Sequence, residues 1–225
     1  IAHQWRQPLS VISTISSSLK IKKEMNILDD KEFYEALNNI NKTSEHLSNT
    51  IDDFRNFFSP NKEMNKFYVS QLIKKSKDLI KSRFDKFNIK VIEHIDDIEI
   101  LSYQNELFQV ILNLFSNSID VLSSSQIENK IIYIKIYHDE NNLYIEFLDN
   151  GGGIKDEFIN RVFEPYFTTK HKSQGTGIGL YMSLQIVTKH LNGEISVKND
   201  TFIENNTAYF GAKFTILLPI NLQKN

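Results

Sequence analysis

Six of the eight glycines stand in two clusters, Gly151-Gly152-Gly153 and Gly175-Thr176-Gly177-Ile178-Gly179. Glycine weakens helix and strand interiors, so this concentration marks the places where the backbone turns sharply or approaches something closely. The first cluster follows an apolar alternation ending in Asp149, and the second precedes the helical pattern Leu180–His190. A glycine-rich turn at a helix start suits an anion, because unpaired N–H groups and the positive dipole end point outward there. The two clusters read as two walls of one nucleotide pocket.

The start of the chain has a different character. Residues 1–58 hold one proline, Pro8, and no glycine. Trp5, Leu9, Ile12, Ser16 and Leu19 recur at spacings of four and three, and after a break at Asn26–Asp30 the pattern resumes with Phe33, Leu37, Ile40, Ser44, Leu47, Ile51, Phe54 and Phe58. That is the period of a helical seam. Asp29, three residues ahead of Glu32, forms a capping-box pattern for the second helix. Two helices joined by a short turn make an antiparallel hairpin. A lone hairpin cannot bury its seam on both faces, so the pattern predicts a homodimer in which two copies form a four-helix bundle.

Ser59-Pro60-Asn61-Lys62 ends the second helix. The expected boundaries are a hairpin over 1–60, a linker over 61–65 and a second domain over 66–220. Within that domain Ser70–Asn88 reads as helix, Ile89–Ile95 and Ile98–Leu101 as strands, and Tyr103–Leu122 as a long helix. Lys130–His138 and Asn142–Leu148 alternate as an antiparallel pair, and Glu194–Lys198 and Ala208–Leu218 read as closing strands. The fold class is α + α+β: an N-terminal antiparallel helical hairpin followed by an α/β sandwich with helices on one face of a sheet. A net charge of −2 with no basic run gives no case for nucleic acid. The absence of cysteine excludes disulfides and thiolate metal sites and fits a cytoplasmic setting. No apolar stretch reaches spanning length. The chain begins at Ile1 rather than methionine and is read as a fragment, so membrane attachment is expected only through a segment upstream.

Three further patterns carry chemistry. Asn113 and Asn117 lie four apart on the long helix, which stacks both amides on one face. An amide oxygen is a suitable hard ligand for magnesium, which takes few protein ligands beside substrate phosphates. Taken alone, the pair is also what a solvated face of an Asn-rich protein would show. Asp149, closing a strand ahead of the glycines, can accept from an exocyclic amino group while the glycines let a flat base lie against backbone. Taken alone, Asp-x-Gly-x-Gly is equally an ordinary loop turn. Between the clusters, Arg161-Val162-Phe163-Glu164-Pro165-Tyr166-Phe167-Thr168-Thr169-Lys170 reads either as a lid with Lys170 reaching phosphate or as a surface loop pinned by its aromatic rings. Gly175-x-Gly177-x-Gly179 lacks the βαβ context and spacing of a dinucleotide fold.

In combination, Asn113-x-x-x-Asn117, Asp149-x-Gly151-x-Gly153, Phe163-x-Pro165-Tyr166-Phe167 and Gly175-x-Gly177-x-Gly179-Leu180 resemble the N, G1, F and G2 boxes of sensor histidine kinases. His3-Gln4-Trp5-Arg6-Gln7-Pro8-Leu9 is similar to the H box, and Gly211–Pro219 to the closing strand, so the resemblance spans essentially the whole chain. It implies an autophosphorylating protein-histidine kinase of two-component signal transduction. Its ATP-binding domain would be of the histidine kinase, gyrase and chaperone type, with ATP and Mg²⁺ as cofactors and a response-regulator receiver domain as partner. It implies His3 as phosphoacceptor, Asn117 as magnesium ligand, and Asn113 and Lys170 at the phosphates. Asp149 would read the adenine amino group, with Gly151 and Gly153 shaping that wall. Gly175, Thr176, Gly177, Gly179 and Leu180 would form the phosphate-side turn.

Two positions depart from the pattern. Gln4 stands where most of these kinases carry Glu or Asp; an amide accepts a hydrogen bond from the imidazole but is no base. Gln7 stands where Asn or Thr often orients water for dephosphorylating the partner, which a glutamine amide can also do. Two other functions stay open on the residues. One is an ATPase of the wider superfamily, disfavoured because Asn113 stands where those enzymes use a glutamate. The other is a nucleotide-binding dimeric scaffold without turnover, favoured only by Gln4.

Overall fold

The computed structural model describes residues 2–57, 63–169 and 177–221, with side chains from 9 to 44 in the first of these stretches. The chain divides into two compact units, one built on two long helices and the other on a five-stranded sheet.

In the first unit α1 (Ala2–Glu24) and α2 (Asp30–Phe57) pack on one another. The turn between them follows from local chemistry. Asn26 adopts φ 54°, and Ile27 N–H donates to Lys22 C=O at 3.0 Å while Asn26 N–H donates to Lys23 C=O at 3.1 Å, closing the carbonyl end of α1. Asp29 Oδ1 accepts from Glu32 N–H at 2.7 Å, which is the expected cap on α2. Lys22 pairs with Glu32 across the turn. Among the described side chains of this hairpin none reaches the buried class: Ile12, Ile15, Leu19 and Ile40 are half-buried, and Leu9, Val11 and Phe33 are exposed.

The second unit runs β1 (Asn65–Tyr68), α3 (Val69–Phe87), β2 (Ile89–Ile95), β3 (Glu99–Ser102), α4 (Gln104–Ser124), β4 (Lys130–His138), β5 (Asn142–Asp149), α5 (Asp156–Ile159), α6 (Gly179–Gln185), β6 (Glu194–Glu204) and β7 (Thr207–Pro219). The sheet order is β2-β4-β5-β7-β6, with β1 and β3 forming a separate ribbon. Alternation places Ile132, Ile134 and Ile136 of β4, Ile145 and Phe147 of β5, and Ile216 and Leu218 of β7 in the core. The buried stripe of α4 includes Leu107, Ile111, Leu114, Phe115, Ile119 and Leu122. Phe115 meets Phe147 edge-to-face with ring centroids 5.0 Å apart, and Phe84 of α3 meets Phe115 at 5.5 Å. This is an α/β domain, one five-stranded mixed sheet with helices packed against it.

Four local features are set by the tertiary structure rather than by the sequence pattern. Asn65, expected in the linker, opens β1 opposite Ser102, because buried Phe67 anchors that short strand. β2 pairs with β4 in parallel, since the crossover through β3 and α4 returns the chain in the same direction. The pattern expected as one helix to His190 is α-helical only to Gln185. Ile186–His190 widens to a π turn, which Leu191 N–H closes on Ile186 C=O at 3.0 Å. His190, the last residue of that turn, is largely enclosed and lies 3.0 Å from Glu106.

Candidate functional site

Because one stripe of α4 is committed to the core, its Asn113 and Asn117 are left beside it, one turn apart and half-buried. Asn113 is locked in place. Its Nδ2 donates to the hydroxyl of buried Ser183 on α6 at 2.8 Å. A Cβ on Gly179 would lie 2.4 Å from Asn113 Oδ1, so α6 approaches α4 this closely only because glycine stands there. The amide nitrogen of Asn117 is enclosed and has no hydrogen-bond partner among the described residues. A donor left unpaired at that depth costs about 1–3 kcal/mol, which a bound acceptor such as a phosphate oxygen would relieve. The carbonyl of the same amide is the kind of ligand magnesium takes. The residues therefore fit a metal–phosphate group.

Asp149 ends β5 and is 4% exposed. Its Oδ1 accepts from Gly151 N–H at 2.9 Å and its Oδ2 accepts from Ser118 at 3.4 Å. Burial pushes this carboxyl up to about 6, against the lowering pull of those two donors and of the Ala212 N–H. The three glycines of the turn differ in role. A Cβ on Gly151 would lie 2.3 Å from Val121 Cγ1, pressing the turn onto α4. Gly153, at φ 81°, lies flush against Asn199, while Gly152, at φ 91°, has open space where its side chain would be. From Asn113 to Val121 is about 12 Å along the helix axis. α4 thus carries a phosphate-suited amide pair and, further along, packs against the buried Asp149 carboxylate and its open glycine turn.

The aromatic segment is pinned by its own rings. Phe167 lies 5.5 Å from Phe158 and under the Arg161 guanidinium at 4.6 Å, and Phe163 meets Phe214 at 6.4 Å. Tyr166 takes φ 67°, a strained value for an aromatic residue, at the end of this packed segment. Gly177, at φ 64°, precedes α6, in which Leu180 is half-buried. Lys170, Gly175 and Thr176 lie outside the described residues, as do the side chains of His3, Gln4 and Gln7, whose backbone is in α1.

The structure thus gathers Asn113, Asn117, Asp149, Gly151 and Gly179 around α4, and sets Gly153 against the β6–β7 hairpin. It adds residues that sequence reading passed over. Ser118 and Ser183 are buried hydroxyls whose partners lie far off in the chain. Gly211 carried a usable signal, since an isolated glycine in a strand marks a close backbone approach. A Cβ there would sit 1.8 Å from the Asp149 carbonyl oxygen.

Residues 102–222 match the family described as histidine kinase-, DNA gyrase B- and HSP90-like ATPase. Sporulation kinase E of Bacillus subtilis strain 168 is 30% identical over 223 residues, 98% of this chain and 28% of that protein. The signal transduction histidine-protein kinase AtoS of Escherichia coli K12 is 27% identical over 100% of this chain and 34% of its own length. The chain therefore spans about a third of the length of these curated relatives, 28% and 34%. Among solved structures, the catalytic domain of histidine kinase ThkA superposes with TM-score 0.59 at 25% identity, covering 71% of this chain and 97% of that one. The same kinase in complex with response regulator protein TrrA gives TM-score 0.71 at 23% identity, over 97% of this chain and 59% of that one, a likeness of fold.

Proposed function

The chain belongs to the histidine kinase-, DNA gyrase B- and HSP90-like ATPases, among the sensor histidine kinases, and we propose that it autophosphorylates on His3 and passes the phosphoryl group to an aspartate of a response regulator. The observation that carries this reading is the buried Asp149 beside an open glycine turn that packs on α4, the helix bearing the amide pair whose Asn117 donor has no partner among the described residues. Asp149 would accept from the adenine amino group. Asn117 would hold Mg²⁺ through its carbonyl, and Asn113, Lys170 and the second glycine cluster would face the phosphates. The metal supplies charge neutralisation on the transferring phosphoryl group. A neutral imidazole of His3 offers a lone pair to the γ-phosphorus; the N–P bond forms as the bond to the ADP oxygen breaks.

The domain assignment we propose is 1–60 as dimerisation and phosphotransfer hairpin, a linker from 61 that ends before Asn65, and the catalytic domain from β1 to 220. Support for a homodimer comes from α1 and α2, whose described apolar side chains stay exposed or half-buried when the hairpin stands alone. A receiver domain as partner is supported by the ThkA complex. Asn113 in place of a water-activating carboxylate favours transfer over hydrolysis.

Incubation with γ-labelled ATP and Mg²⁺ tests the reading. Acid-labile label on the wild type and none on His3→Ala is expected. Release of free phosphate without protein label would instead indicate an ATPase, and neither would indicate a scaffold. Dephosphorylation of the partner with Gln7 orienting the water is a second proposed activity, and an undiminished phosphatase rate in Gln7→Ala would remove Gln7 from that role.

A further inference from the structure

We propose that Asn199, on the far edge strand β6, is a positioning residue for nucleotide binding, holding the glycine turn that follows Asp149 in its binding shape. Its amide takes both hydrogen-bonding groups of one backbone unit. Ile154 N–H donates to Asn199 Oδ1 at 2.7 Å, and Asn199 Nδ2 donates to Ile154 C=O at 2.7 Å. Among the side chains described here an amide meets both needs at once, because it presents an acceptor and a donor side by side. The fit is close. A Cβ on Gly153 would lie 2.6 Å from Asn199 Oδ1 and 3.1 Å from Phe210 Cε1, so the glycine at 153 serves contact with the β6–β7 hairpin.

The other end of the turn is held in the same manner. Asn150 Oδ1 accepts from Ile131 N–H at 2.8 Å, and its Nδ2 donates to Asn129 C=O at 2.7 Å. Between these two amide brackets lie the three glycines, the residues least able to hold a conformation themselves. Release of the Ile154 end would free Gly151, whose N–H is a direct donor to Asp149 Oδ1. Asn199 would thus act on a base through the turn and the carboxylate, without touching the ligand. This rests on the nucleotide reading of the Asp149 pocket.

The test uses the full chain with Asn199→Ala, Asn199→Asp and, as a hairpin control, Ile203→Ala at an exposed position of the same strand. ADP affinity is measured by calorimetry, and hydrogen exchange of the Ile154 amide is followed without nucleotide. Expected are an affinity loss of about tenfold in Asn199→Ala, faster exchange at Ile154, and no change in Ile203→Ala. Asn199→Asp, which keeps the acceptor and loses the donor, should fall between. Unchanged exchange at Ile154 in Asn199→Ala overturns the bracket, and unchanged ADP affinity overturns its role in binding. A wild type that takes up no ADP overturns the nucleotide reading itself, while the exchange measurement still reports on the bracket separately.

Discussion

The Asn113 amide donates to the Ser183 hydroxyl at 2.8 Å, joining α4 to α6 at the point where Gly179 lets the two helices touch. The bond fixes which atom of Asn113 is spent on the protein and which remains. Ser183→Ala removes the acceptor and frees the amide to rotate, at a cost of about 1 kcal/mol. ADP affinity measured by calorimetry should fall about fivefold. Gly179→Ala should do more. The clash is with the far end of a side chain rather than with backbone, so the protein should fold with Asn113 displaced and bind ADP at least about tenfold more weakly.

Asp149 sets stability against binding. Its folded pKa, about 6, lies above the 3.8 of the free group because burial disfavours the charge. The native state therefore holds a proton more tightly than the unfolded chain between those values, and the group's contribution to stability is lost as pH rises through about 6. Asp149→Asn, neutral at every pH, should be more stable than wild type at pH 7 by about 3 kcal/mol, and the gap should close below about pH 4. Urea unfolding at the two pH values checks this. The ionised carboxylate is the stronger acceptor for an adenine amino group, so wild-type ADP affinity should weaken as pH drops through about 6, and Asp149→Asn, whose amide oxygen accepts without charge, should bind ADP more weakly at pH 7 and lose that pH dependence.

What the sequence disclosed and what it withheld divide along a physical line. Contacts made by neighbours in the chain were legible: the Asp29 cap, the α4 stripe, the alternation of β4 and β5, and the two glycine turns all come from short-range periodicity or backbone need. Ser183 and Asn199 were not, because each acts on a residue dozens of positions away and has no periodicity of its own, while Gly211 announced a close approach without naming its partner. The parallel pairing of β2 with β4 was hidden for a related reason. An isolated apolar strand does not encode its neighbour's direction; the crossover through α4 does. The π turn at Ile186–His190 is set by tertiary packing, since its residues read as ordinary helix.

On the sheet, Lys213 bridges Asp200 at 2.9 Å and Glu146 at 3.3 Å, and Lys198 reaches the same Asp200 oxygen at 3.0 Å. The Lys213 hydrogen bond, then that of Lys198, holds Asp200 far below the ordinary carboxylate range. A depressed folded pKa contributes stability above the unfolded value that is lost as pH falls through the folded one. Lys213→Met should therefore cost about 1 kcal/mol at pH 7, discounted for partial exposure. Denaturant midpoints should show that penalty shrinking as the pH is lowered toward 3.

Gly211 and Gly152 separate steric need from backbone need. A Cβ at Gly211 would sit 1.8 Å from the Asp149 carbonyl oxygen and 3.1 Å from Asn150 Cα, atoms of a paired backbone that cannot swing aside. Gly211→Ala should force β7 away from the end of β5, cost about 1–3 kcal/mol, and carry Asp149 with it, so that thermal midpoint and ADP affinity fall together. At Gly152 a Cβ meets nothing within 4 Å, but φ is 91°. Gly152→Ala should cost about 1–2 kcal/mol from left-handed backbone alone. The discriminating measurement is ADP affinity at a temperature where both variants are fully folded. If the open side at Gly152 faces the base, Gly152→Ala loses more affinity for its loss of stability than Gly211→Ala does. Equal losses would place the base elsewhere along α4.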